Sequence, residues 1–260
     1  MASNGSGSDD DPMKILATYN IKGGVGKTAS AVNLAHVAAG RGNRVLLWDL
    51  DPQGAATFYF RVKPKVKGGG EALLSGRREL ADVIKGSDYE NLDIVPADFS
   101  YRPLDLMLDD AKKPLARLRK VLSSVAGDYD YVFLDCAPSI SLTSESVFRA
   151  ADALLVPVIP TTLSIRTFDQ LDRFVDENPD IVRKLRIMGF FSMADSRKRL
   201  HRELMEELRE QRPELLPSQV PMDTDIERMG VHRQPVTAMF PKSRPARAYQ
   251  ALWDDILERL

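Results

Sequence analysis

Short, mainly apolar runs mark the chain at 15–19, 45–49, 92–95, 131–134, 153–158 and 185–191. A run without polar alternation suits a strand whose sheet is buried on both faces. Between these runs, segments 29–40, 103–125, 143–151, 164–177, 197–211 and 244–260 have helical composition or spacing. Strands and helices therefore alternate, which predicts an α/β fold with a mostly parallel, twisted sheet and helices on both faces. There is no internal repeat, and no interior linker is long enough to divide residues 13–260 into two domains.

Composition narrows the classes. A chain of 260 residues, 43% of them hydrophobic, can bury one large core. Its net charge of -1 gives no global attraction to nucleic acid or to an anionic membrane, so any such binding must rest on local patches. No apolar run reaches the length of a membrane span. Residues 1–12 (MASNGSGSDDDP) lack the apolar segment of a signal peptide and read as a disordered leader or an artificial remnant ahead of a candidate start at Met13. The lone cysteine, Cys136, excludes an intrachain disulfide and suits a reducing cytosol, so a cytoplasmic location is expected.

The most specific chemistry lies at residues 20–28, Asn-Ile-Lys-Gly-Gly-Val-Gly-Lys-Thr. Gly23, Gly24 and Gly26 let the backbone curl so that successive N–H groups face a phosphate, Val25 included. Lys27 is placed to meet the β and γ phosphates, and Thr28 to offer a hydroxyl to Mg²⁺. The loop lies between an apolar run and a helical segment opening at Ala29, where an uncapped helix start favours anions. The general G-x-x-x-x-G-K-[ST] pattern is not met, because Ile21 stands at its first glycine. The result is a P-loop NTPase variant with its own extra lysine, Lys22.

Ligands of such sheets sit at the carboxyl ends of the strands. Two predicted strands end there in acids: 45–49 runs into Asp49-Leu50-Asp51-Pro52-Gln53-Gly54, and 131–134 into Asp135-Cys136-Ala137-Pro138-Ser139. A carboxylate beside a phosphate loop can hold Mg²⁺ through water. Either aspartate alone would read as a turn or cap residue; together with the glycine loop they read as one nucleotide site.

These three segments resemble the nucleotide motifs of the ParA/MinD (deviant Walker A) ATPases, and are closest to the ParA branch. The resemblance runs from about Met13 to the C-terminus, including 91–97 and 241–251. It implies ATP and Mg²⁺ as cofactors, Lys27 as the phosphate-loop lysine, and Lys22 as a lysine reaching a partner's nucleotide in an ATP-sandwich homodimer. It implies further that Asp51 positions the attacking water and that Asp135, with Thr28 and Asp51, serves the Mg²⁺ shell. Met193 and Pro221 fall in segments that resemble adenine contacts; ordinary strand-end loops are the other reading. Two departures stand out: Ala29 replaces a second threonine after Thr28, and Gly54-Ala55 stands where relatives carry Gly-Asn.

Between 228 and 250 the chain has Arg228, Arg233, Lys242, Arg244 and Arg247 and no acid. Such a patch is either a solvated face or a non-sequence-specific phosphate surface. Resemblance to ParA proteins, which bind nonspecific DNA when dimeric, favours DNA contacts at Arg233, Lys242, Arg244 and Arg247. Asp223 and Asp225 depart from that pattern, since relatives often carry an arginine there. Arg61, Lys63, Lys65 and Lys67 form a second basic cluster. The last helix could lie on a membrane, as in MinD relatives, but Asp254, Asp255 and Glu258 on its polar face suit core packing better. His36, His201 and His232 lack metal-ligand spacing.

The expectation is a cytoplasmic, nucleoid-associated ATPase that dimerises on ATP, binds nonspecific DNA and positions a cargo through a stimulating adaptor, without a membrane partner. The alternative is a membrane-associated spatial regulator of the MinD kind. A nitrogenase-like iron protein would need paired cysteines, and Cys136 stands alone. A small-molecule kinase or synthetase is open on fold alone.

Overall fold

The computed structural model describes residues 13–109, 113–182 and 185–260. Its strands are Lys14–Thr18 (β1), Val45–Asp49 (β2), Lys85–Gly86 (β3), Leu92–Val95 (β4), Tyr131–Asp135 (β5), Ala153–Val158 (β6), Arg186–Ala194 (β7) and Leu215–Pro221 (β8). They form one sheet in the order β3-β4-β2-β5-β1-β6-β7-β8. Every pairing is parallel except β3 with β4.

The helices are Lys27–Gly40 (α1), Ala55–Tyr59 (α2), Gly69–Ser75 (α3), Leu104–Asp109 (α4), Pro114–Leu122 (α5), Leu142–Ala150 (α6), Thr162–Glu177 (α7), Arg199–Gln211 (α8), Thr224–His232 (α9), Val236–Met239 (α10) and Arg244–Arg259 (α11). Successive strand residues serve opposite layers. Ile15, Ala17, Leu46, Trp48, Val132 and Leu134 join the core under α3 to α8. Leu16, Val45, Leu47 and Phe133 join the core under α1, α10 and α11. Both layers are apolar, so alternation of side-chain direction leaves no polar alternation in the sequence.

Strand order creates the crevice. The chain leaves β1 for β2 on one side, and after β5 crosses to β6 on the other, so the direction of winding reverses at β1 and β5. Loops leaving those two strands diverge there and open a cleft at the carboxyl edge.

Several expectations change. The predicted helix 103–125 divides into α4, α5 and a short 3-10 turn at 123–125, with 110–112 outside the described residues. Pro114 occupies the first turn of α5, where its missing N–H costs nothing, whereas inside a continuous helix its ring would clash with the preceding turn. The predicted helix start at 197 moves to Arg199, because Asp195 accepts the Arg197 backbone N–H and holds that stretch as a turn. Strand β8 was not expected: Pro217 and Pro221 break its apolar run, yet an edge strand tolerates proline. Helices α2, α3, α9 and α10 also lie outside the predicted helices, none longer than nine residues.

The last helix is core. Leu252, Trp253 and Ile256 are fully buried, and Trp253 meets the rings of Tyr131 and Phe133 at 5.0 and 5.8 Å. Two of its acids pair with other elements: Asp255 accepts the Ser218 backbone N–H at 2.7 Å, and the exposed Asp254 pairs with Arg41. No described helix is long and apolar enough to cross a membrane.

Candidate nucleotide site

The glycine loop runs from β1 to α1 over the crevice. Gly24 and Gly26 take positive φ values of 72° and 95°, a region that a side chain disfavours. Gly26 has a second constraint, because a Cβ there would stand 2.7 Å from Ser192 Oγ. Helix α1 begins without a side-chain cap, so its first N–H groups and the positive end of its dipole are available to an anion. At the loop's start, Asn20 donates to the Pro157 carbonyl of β6 at 2.9 Å and accepts the Lys22 N–H at 2.9 Å.

Lys27 is buried and its Nζ donates to the Lys22 carbonyl at 3.1 Å. Burial lowers its pKa, while Asp135, Cys136 and Asp51 act in the opposite sense. Beneath it lie two buried acids. Asp49 and Asp135 end β2 and β5 as register partners, and both are fully buried. Burial pushes the Asp49 carboxyl up to about 6, with Asp51 adding to the rise and donors from Thr57 opposing it. Burial also pushes Asp135 well above the usual carboxylate range; Asp49 and Asp51 add to this, and Thr28 and Lys27 counter it.

Their partners separate their roles. Asp49 is saturated: it accepts the Thr57 N–H and hydroxyl at 2.8 and 2.7 Å and the Asp51 N–H at 3.2 Å. Among the described residues Asp135 accepts the Thr18 hydroxyl on Oδ1 at 3.4 Å, and its Oδ2 has no partner at hydrogen-bond distance. A buried carboxylate oxygen left open beside Thr28 and a phosphate loop fits a hydrated divalent cation. Asp49, which the sequence offers beside Asp135 as a strand-end carboxylate for the ion, instead ties α2 to the sheet through Thr57.

The cleft above these groups is about 370 Å³. Gly23, Gly24, Gly26, Lys27, Thr28, Ala29 and Asp51 line it at the phosphate end, and Met193 and Pro221 line it further out. Met193 has a left-handed backbone, φ 53°, beside an irregularity in the β7–β8 register. Val25 differs from its loop neighbours, since its side chain is buried and lies off the lining. Lys22 also lies off it: its Nζ donates to Ser164 Oγ at 3.1 Å. Asp195 turns aside to Arg197, whose Nε and Nη2 donate to it at 2.9 and 3.0 Å and hold its carboxyl down to about 2. Sequence reasoning missed Tyr59, Ser192, Val220, Ile226 and Tyr249 in the lining, since they come from separate elements and form no motif.

Lys242, Arg244 and Arg247 are exposed at and just before the start of α11, and Tyr249 of the same helix lines the cleft. Arg233 is different, half-buried against α2. In the second basic cluster, Arg61 is paired with Asp88.

A glycine loop opening an uncapped helix, a buried lysine and two strand-end acids at a winding reversal define a P-loop nucleotide-binding α/β protein. Residues 13–187 match the family described as an AAA domain. The chain is 32% identical over 251 residues to the sporulation initiation inhibitor protein Soj of Bacillus subtilis, covering 94% of this chain and 98% of Soj. It is 31% identical over 257 residues to the chromosome partitioning protein ParA of Myxococcus xanthus, covering 95% and 88%. The chain therefore belongs to the ParA/MinD family of P-loop ATPases, on the ParA side. Among solved structures, the cobyrinic acid a,c-diamide synthase of Mycobacterium smegmatis with bound ATP analog and magnesium superposes with a TM-score of 0.81 at 28% identity, covering 95% of each chain. A putative plasmid partition protein of Borrelia burgdorferi bound to AMPPNP shares the fold, with a TM-score of 0.83 at 23% identity, 95% of this chain and 100% of that one.

Proposed function

We propose that this protein is a Mg²⁺-dependent ATPase that dimerises on ATP, binds DNA without sequence preference and positions a cargo through a stimulating adaptor. The observation that carries this reading is the single cleft joining the glycine loop, Lys27, Thr28 and Asp51 above the open oxygen of Asp135. Thr28 and Asp135 would hold a Mg²⁺ ion, Asp135 through water, and the ion would supply positive charge at the phosphate end of the cleft.

The protein's own groups do the rest. Loop N–H groups and the start of α1 hold phosphate oxygens, and Lys27 supplies a fixed counter-charge at low dielectric. Asp51, at the phosphate end of the cleft, orients the attacking water. Lys22 reaches the partner's nucleotide, exchanging Ser164 for phosphate. Met193 and Pro221 take the base end. Lys242, Arg244 and Arg247 supply the DNA face, doubled in the dimer. The working place is the cytoplasm, on the nucleoid. The membrane reading is weaker, because α11 spends its apolar side on the core.

Cosedimentation with DNA and with liposomes, each with ATP and with ADP, tests the proposal. Pelleting with DNA in ATP alone supports it. Pelleting with liposomes in ATP, or equal DNA binding in ADP, refutes it.

A further inference from the structure

Arg233 closes α9 in the left-handed conformation, φ 53°, a position where glycine is favoured and any other residue is strained. Its side chain is committed. Nε donates to the Phe58 carbonyl at 3.0 Å, and the guanidinium carbon stands 4.5 Å from the centroid of the Phe58 ring. A planar cation on an aromatic face, with a directed hydrogen bond at its edge, is an arrangement lysine cannot reproduce.

Phe58 sits in α2, which follows Asp51 directly. The Asp51 carbonyl accepts the Gly54 N–H at 2.9 Å, and the Gly54 carbonyl accepts the Phe58 N–H at 2.9 Å. Backbone hydrogen bonds thus run from Asp51 to Phe58, and the next carbonyl is shared by the Arg61 N–H, at 3.1 Å, and Arg233. One residue earlier, Thr57 is tied to Asp49 and accepts the Ala97 N–H at 2.8 Å. One residue later, Tyr59 lines the nucleotide cleft. Helix α2 spans only Ala55–Tyr59, too short to hold its place by helical cooperativity. Asp49 fixes it from the sheet, and Arg233 fixes its outer carbonyl from α9.

We propose that Arg233 is a positioning residue for hydrolysis, clamping the segment that carries Asp51 and Tyr59, and that it stands apart from the DNA contacts formed by Lys242, Arg244 and Arg247. This rests on the ATPase reading above. The clamp makes the geometry of Asp51 depend on α9, an element that carries no catalytic group.

Arg233→Lys keeps the charge and removes the stack and the Nε donor. It should lower kcat about tenfold with KM for ATP within about twofold, speed backbone amide exchange across residues 55–61 at least tenfold, and leave the salt slope of DNA binding unchanged. Phe58→Ala should do the same, Phe58→Tyr should keep parental turnover, and the Arg233→Lys/Phe58→Ala pair should be no slower than the slower single variant. Parental kcat or parental amide exchange in Arg233→Lys overturns the clamp, as does full additivity. So does a kcat loss that Phe58→Tyr shares, or a salt slope that shrinks as it does for Lys242→Ala. A parental protein that hydrolyses no ATP refutes the ATPase reading instead, and amide exchange alone then decides whether Arg233 holds the segment.

Discussion

Asp49 and Asp135 are register partners at the ends of adjacent parallel strands, both without solvent exposure. Two buried carboxylates this close cannot both ionise cheaply without a cation. The folded chain holds a proton on Asp49 up to about pH 6, whereas the unfolded chain releases it near 3.8. The stabilisation is therefore full below the lower value and lost as pH rises through the upper one. From pH 5 to 7.5 the nucleotide-free protein should lose stability relative to Asp49→Asn in urea melts, on the order of 1 kcal/mol. Mg²⁺ with ATP should reverse the trend, because a cation beside Asp135 lets both neighbouring acids ionise.

Lys27→Ala should weaken ATP binding at least about 100-fold, since losing a buried charge-assisted contact costs about 3 kcal/mol. Gly26→Ala should do comparable harm by a separate route, through strain at φ 95° and the approach to Ser192 Oγ. Calorimetry reads both; parental affinity in either variant places the phosphates elsewhere.

Asp51→Ala should keep ATP binding and lower turnover about 100-fold or more, the range for a group that orients or deprotonates water. The variant should accumulate as an ATP-bound dimer on size exclusion with light scattering. Adding Lys22→Ala should return it to monomer while retaining ATP, because the charge of Lys22 acts only where two nucleotides are apposed. A dimer that survives the double substitution removes the sandwich arrangement.

Replacing Lys242, Arg244 and Arg247 by alanine should weaken binding to every DNA sequence alike and flatten its salt dependence by roughly 0.9 per lost contact. ATP affinity should be unaffected, since none of the three lines the cleft. A change confined to one DNA sequence would contradict a phosphate-only surface.

The phosphate end of this site and the class of fold are written in the order of residues. Glycines that must take positive φ, the lysine that follows them and the acids ending buried strands are contiguous requirements of the chemistry, so they survive as short motifs. Five of the six predicted strands keep their places within a residue, and the sixth extends to Ala194, because burial on both faces demands unbroken apolar runs. The remaining features come from packing. The Asp49–Asp135 pair exists because β5 inserts beside β2, and strand order is a property of packing that no local run encodes. Tyr59, Ser192, Ile226 and Tyr249 meet around the cleft from four elements, and Arg233 reaches Phe58 across the sequence. Such contacts arise from the closure of long loops, whose ends carry no mark of each other until the sheet brings them together.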